Sequence, residues 1–283
     1  MRINVNGVSL FFDTEGPQLE QHGAELRERP TVLAIHGGPG VDHSMFRPML
    51  SALTRVAQVV YVDLRGNGRS EKSTPERWNL ATWAEDIRAF CDALDIRKPV
   101  VLGASFGGFV AQAYATRFPE HPGKLILLST NPRFDLERTV GMFERLGGPE
   151  AASVARQFFT DVGPAIFQRY VQHCLPLYTR QPAKMRSPDP LMQLEVALHF
   201  IRGEWHTFDF TRELARIRCP TLVLAGEQDP VLPFAGSEEL VSCLPKELVR
   251  FERFPDCSHN LHVEQPERAM AVMEAFIRGA TGS

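Results

Sequence analysis

The chain has 283 residues, 43% of them hydrophobic, and 31 Lys and Arg stand against 34 Asp and Glu for a net charge of −3. That length can bury one large core in one or two domains, and a balanced charge without runs of one sign argues against nucleic acid or an anionic membrane as partner. The five cysteines include no C-x-x-C pair, the N-terminus has no secretory pattern and no apolar run approaches about 18 residues, so the expected setting is cytoplasmic.

Residues 2–5 and 8–12 read as short strands joined by Asn6-Gly7, the dipeptide that most readily supplies the positive φ angles of a tight hairpin. Residues 18–29 are polar and read as a surface loop. Five short runs follow, at 31–35, 59–62, 100–102, 125–128 and 221–224, apolar at nearly every residue. Such runs suit parallel strands buried on both faces. Helical patterns lie between them. The clearest is 82–94, with a capping box Thr82-x-x-Glu85 and Trp83, Ile87, Phe90 and Leu94 at helical spacing. This alternation indicates a mostly parallel α/β sheet with an N-terminal antiparallel hairpin.

Residues 132–211 break the alternation with helix-like stretches at 137–146, 151–159, 165–174 and 191–201 and no convincing strand. The predicted organisation is a core of 1–131 and 212–283 with a helical cap, 132–211, inserted over the carboxyl ends of the strands. Ligands of open α/β sheets bind there.

The strongest chemical signal is Gly103-Ala104-Ser105-Phe106-Gly107, a G-x-S-x-G pentapeptide between a strand and a helical run at 106–117. A serine becomes a useful nucleophile when a strained turn presents it and an adjacent base takes its proton. The glycines are steric requirements of that turn, and Gly108 and Ala111 extend the small surface. His36-Gly37-Gly38-Pro39-Gly40, at the end of the strand at 31–35, can aim backbone N–H groups into the pocket. The expected oxyanion donors are the amides of Gly38 and Phe106, each worth about 3 kcal/mol in the transition state.

The base and acid come from the last third. Asp229 follows the strand at 221–224, and His259 ends Phe254-Pro255-Asp256-Cys257-Ser258-His259 ahead of a terminal helix at 266–278. The order Ser105, Asp229, His259 makes His259 the general base and Asp229 its orienting carboxylate. Glu227 and Asp256 are rival acids, and His262 is a rival base. Asp63-Leu64-Arg65-Gly66-Asn67-Gly68-Arg69-Ser70 lacks a phosphate-loop lysine. Its Asp63 and Arg65 read instead as an ion pair shaping the pocket floor. The nine histidines show no metal-ligand spacing, so neither a metal nor a cofactor is expected.

These residues resemble the α/β-hydrolase superfamily and, within it, the proline iminopeptidase-like group. The resemblance rests on HGGPG at 36–40, D-x-R-G-x-G-R-S at 63–70, G-x-S-x-G-G at 103–108 and the terminal acid and histidine, and it spans essentially the whole chain. It implies a serine hydrolase that removes an N-terminal proline from a peptide, with cap acids, Glu204 or Glu195, holding the free amine beside Trp205. Phe106 stands where these peptidases usually carry tryptophan, and Ser258 where glycine is common. Chains with HGGPG also resemble esterases and lactonases, which makes a carboxylesterase or lactonase the alternative. A non-turnover ligand receptor on the same fold is the alternative of another class. Phe143, Phe158, Phe159, Phe167, Trp205 and Phe208 line either the pocket or plain core. The expected partner is a small molecule or short peptide; oligomeric state stays open.

Overall fold

The computed structural model describes residues 1–181 and 191–279. Asn6 and Gly7 take φ of 47° and 71°, turning β1 (Arg2–Val5) onto β2 (Val8–Glu15) as an antiparallel pair. The expected loop at 18–29 is instead a second hairpin, β3 (Leu19–His22) with β4 (Glu25–Glu28), every residue of it exposed. With no buried face it carries no apolar alternation, which is why its sequence reads as a loop.

Six further strands, β5 (Thr31–Ile35), β6 (Gln58–Val62), β7 (Val100–Ala104), β8 (Lys124–Leu128), β9 (Thr221–Gly226) and β10 (Val249–Phe254), join β1 and β2. The resulting eight-stranded sheet has the order β1-β2-β6-β5-β7-β8-β9-β10. Pairing is parallel from β6 to β10 and antiparallel for β1 with β2 and β2 with β6. The predicted runs are apolar at nearly every residue because each strand buries both faces. Leu33, Ile35, Val60, Val62 and Leu127 enter one core layer, whereas Val32, Ala34, Val59, Tyr61 and Leu128 enter the other. Edge strand β10 lies outside the sequence reading because Arg250, Glu252 and Arg253 interrupt its apolar pattern.

The helix expected at 82–94 is α1 (Leu80–Ala93), capped by Asn79, whose side chain accepts from Thr82 N. The Thr82–Glu85 capping box therefore does not form, and Glu85 pairs with Arg117 instead. Next come α2 (Phe106–Arg117) and α3 (Leu136–Thr160). The second of these joins two predicted helices across a bend where Gly148 takes φ 77° ahead of Pro149. Then α4 (Pro164–His173), a 3-10 turn at Leu175–Tyr178, and α5 (Leu194–Arg202) precede β9. The helices α6 (Phe234–Cys243), α7 (Leu261–Glu264) and α8 (Pro266–Arg278) complete the chain.

Among the described residues, the stretch between β8 and β9 contributes no strand to the sheet. One isolated bridge, Arg133 with Asp209, brings its ends together. This insert sits against the loops that follow β5 and β7: Gln193 N donates to Gly40 O at 2.6 Å, and Phe200 packs on Phe106 with ring centroids 5.0 Å apart. No described helix is long and apolar enough to cross a membrane.

Candidate active site

Ser105 forms the turn between β7 and α2 at φ 54° and ψ −120°, a backbone state that non-glycine residues seldom adopt and that costs on the order of 1–3 kcal/mol. Its neighbours enforce that state. Ser105 N donates to Leu128 O at 2.9 Å, and Ser105 O accepts from Gly108 N at 2.8 Å and Thr130 Oγ1 at 3.0 Å. The glycines allow the close approach: a Cβ on Gly103 would lie 2.3 Å from Gly107 O, and one on Gly107 would lie 2.2 Å from Ile35 O.

The glycine turn after β5 is organised by His36. Leu64 N donates to His36 Nε2 at 3.1 Å, which places the proton on Nδ1, 2.8 Å from Gly37 O. Burial lowers the pKa of this histidine, so it is a neutral strut. Gly37 N is committed to Met45 Sδ at 3.0 Å and Gly40 N to Asn67 Oδ1 at 2.7 Å. Between them Gly38 is exposed and takes φ 112°. Phe106 opens α2, and the first amides of a helix have no acceptor within the helix.

Asp229 Oδ1 accepts from Val231 N at 3.0 Å and Leu232 N at 2.9 Å, while Oδ2 lies 2.7 Å from His259 Nδ1. Both side chains are buried, at 1% and 6% exposure. Gly226 lets the histidine loop approach β9, since a Cβ there would lie 2.2 Å from Ser258 O. Ser129, just past β8, links the two halves of the site: its Oγ donates to His259 O at 2.7 Å, one residue from the carbonyl that holds Ser105 N.

The rival acids are occupied or remote. Glu227 pairs with Arg253 at 3.2 Å, and Asp256 is exposed, 3.9 Å from Arg180. The rival base His262 is buried, its Nδ1 has no partner among the described residues, and burial pushes its pKa down to about 4.

The expected Asp63–Arg65 pair does not form. Arg65 makes a bidentate pair with Asp86, Nε to Oδ2 and Nη2 to Oδ1, both at 2.7 Å. Asp63 accepts from His43 Nδ1 at 2.6 Å and from Arg69 N at 2.9 Å. Each side chain is taken by other partners, so nearness in sequence gives no contact. A function of the motif that the sequence hid is Asn67, which pins the glycine turn through Gly40.

Glu195 pairs with Lys72 at 2.5 Å on the surface. Glu204 Oε2 accepts from Leu80 N at 2.7 Å, and burial raises its pKa. Trp205 is buried among Phe109, Phe134, Phe159 and Phe200, and its Nε1 has no partner among the described residues. Phe143, Phe158, Phe159 and Phe208 are likewise buried in the core and Phe167 packs against it. Among the described residues no three or more His, Cys, Asp or Glu side chains cluster as a metal site would need. Sequence reasoning missed Ser129, Met45, Asn67 and Tyr178, whose ring lies 4.9 Å from that of His259. Of these only Asn67, lying inside a recognised motif, carried any sequence signal.

A strained serine thus follows the fifth strand of the sheet order, and a buried His–Asp pair is tied through Ser129 to the end of the neighbouring strand. The sequence model of the alpha/beta hydrolase fold family matches residues 30–266, and the chain belongs to that family. It is 26% identical over 278 residues to proline iminopeptidase PfmaB of Pestalotiopsis fici, covering 93% of this chain and 94% of that protein. Similarity to the bifunctional esterase/perhydrolase DCH of Acinetobacter calcoaceticus is 27% over 290 residues, covering 96% and 97%. The solved thermophilic esterase from Thermogutta terrifontis, with malate bound, has a TM-score of 0.73 and 25% identity, covering 100% of both chains.

Proposed function

We propose that the chain is a serine hydrolase that cleaves small acyl substrates through an acyl-enzyme. The observation that carries this reading is the 2.7 Å His259–Asp229 contact at the sheet end that also holds Ser105 in its strained turn. Asp229 accepts the Nδ1 proton and leaves Nε2 free to take the proton from Ser105 as Oγ attacks the acyl carbon. The amides of Gly38 and Phe106 receive the oxyanion; the commitment of Gly37 N to Met45 supports Gly38 as the donor from the glycine turn. Collapse returns the proton to the leaving group, and water activated by His259 then releases the acid. Ser105→Ala should lower turnover of p-nitrophenyl acetate by at least about 10³-fold; retained turnover would refute the assignment.

For the substrate we favour an uncharged ester or lactone. A free amine is best held by an available carboxylate, and the two candidate acids of the insert already have partners, Glu195 in Lys72 and one oxygen of Glu204 in the Leu80 amide. The proline iminopeptidase reading is the second one, supported by the HGGPG turn and by the similarity to PfmaB. Comparing Pro-β-naphthylamide with short p-nitrophenyl esters and lactones separates them. The ester reading expects ester turnover that Glu204→Gln leaves intact. A preference for the imino-acid amide that disappears in this variant would establish the peptidase.

A further inference from the structure

The loop that carries His259 is held from outside the sheet. Ser258 Oγ donates to Leu177 O at 2.7 Å, and Asn260 N donates to Tyr178 O at 2.9 Å. Between these two bonds the Tyr178 ring meets the His259 imidazole at 69°, centroids 4.9 Å apart. Glu264, buried at 2% exposure, closes the array by accepting from Ser258 N at 3.0 Å and from the backbone N–H of Arg180. Residues 177–180 belong to the insert, so both residues flanking His259 are hydrogen-bonded to it.

Tyr178 is itself fixed. Its hydroxyl lies 2.7 Å from that of Tyr170, and the Tyr170 ring stacks on Phe158 of α3 at 3.9 Å and 24°. Burial raises the pKa of both tyrosines, which keeps the pair neutral. An imidazole held at Nδ1 by one carboxylate oxygen can still swing about that bond. The Tyr178 ring packs edge-to-face against the imidazole and opposes that swing.

We infer that Tyr178 is a positioning residue for the general base, and that residues 177–180 of the insert are part of the catalytic apparatus as well as its cover. This rests on His259 being the base, as proposed above. Displacing a reacting group by about 1 Å can cost on the order of 100-fold in rate, so loss of the ring is read in the chemical step and not in substrate affinity.

The test compares wild type, Tyr178→Ala, Tyr178→Leu and Tyr178→Phe in two assays: inactivation by a small fluorophosphonate, and steady-state hydrolysis of p-nitrophenyl acetate. Tyr178→Ala is expected to lower both the inactivation rate and kcat by about 10-fold to 100-fold, with KM within about two-fold. Tyr178→Leu keeps apolar bulk should the alanine variant fail to fold, and is expected to be impaired likewise. Tyr178→Phe keeps the ring and should restore both rates to within about two-fold of wild type. Wild-type rates in Tyr178→Leu, or a phenylalanine variant as slow as the leucine one, would overturn the inference. Failure of the wild type to react at Ser105 would instead overturn the proposed function, so the two failures are distinguishable.

Discussion

Ser105 at φ 54° is locked through its amide by Leu128 O and through its carbonyl by Gly108 N and Thr130 Oγ1. The strain is maintained by bonds to the serine's own backbone groups, none of which engages its hydroxyl. Asp229 is fixed comparably by two backbone amides on Oδ1, so Oδ2 meets His259 in one geometry. Asp229→Asn should therefore lower kcat by about 10⁴-fold through the wrong imidazole tautomer, with little change in KM, as steady-state kinetics would show. An aspartate variant that lost only substrate affinity would contradict this. These residues were legible because motif, spacing and chain order constrain them together. Ser129, Met45 and Tyr178 were not, because each acts through a contact made across the fold.

At the scale of elements, the DLRGNGRS loop shows how a recognised motif can be given the wrong partners. Arg65 is buried at 2% exposure and Asp86, its partner on α1, at 0%. The pair joins the loop to the helix, and Arg65 Nη2 also donates to Asn6 O in the first hairpin. Asp86→Ala leaves an uncompensated buried guanidinium and should cost about 3–5 kcal/mol of unfolding free energy, measured by urea denaturation. A loss below about 1 kcal/mol would place the pair among the energetically minor ones that exposed ion pairs represent. The inner strands were legible because burial on both faces makes every residue apolar. The β3–β4 hairpin and β10 were not, since exposure leaves their residues free to be polar. The start of α1 was misplaced because Asn79, three residues before Thr82, supplies the cap.

Across the whole molecule, acid should act through buried neutral histidines. Burial lowers the pKa of His36 and takes that of His262 from 6.5 to about 4. For a group depressed on folding, the unfolded chain binds its proton first as pH falls. Stability is full above about 6.5 and is lost progressively toward the folded-state value. For His262 the full loss at low pH amounts to about 3 kcal/mol. The melting temperature of the wild type should fall between pH 6.5 and 4, and His262→Phe should flatten part of that slope. An unchanged slope in the variant would show that His262 does not contribute to acid destabilisation. Asp63, whose pKa is lowered with His43 and the Arg69 amide as partners against the cost of burial, adds a loss only below its ordinary range near 3.8. The insert was legible as a helical interruption of the strand alternation. Its grip on the histidine loop depends on carbonyls of Leu177 and Tyr178, which no side-chain pattern announces.

If Ser105 is activated by His259, drawn from a distant stretch of chain, its labelling must depend on that histidine. The deciding measurement is mass-spectrometric peptide mapping after fluorophosphonate treatment of the wild type and of His259→Ala. A single adduct is expected on the peptide carrying Ser105, formed more slowly by at least about 10³-fold in the histidine variant. An adduct on a different residue, or equal labelling rates in both proteins, would contradict it.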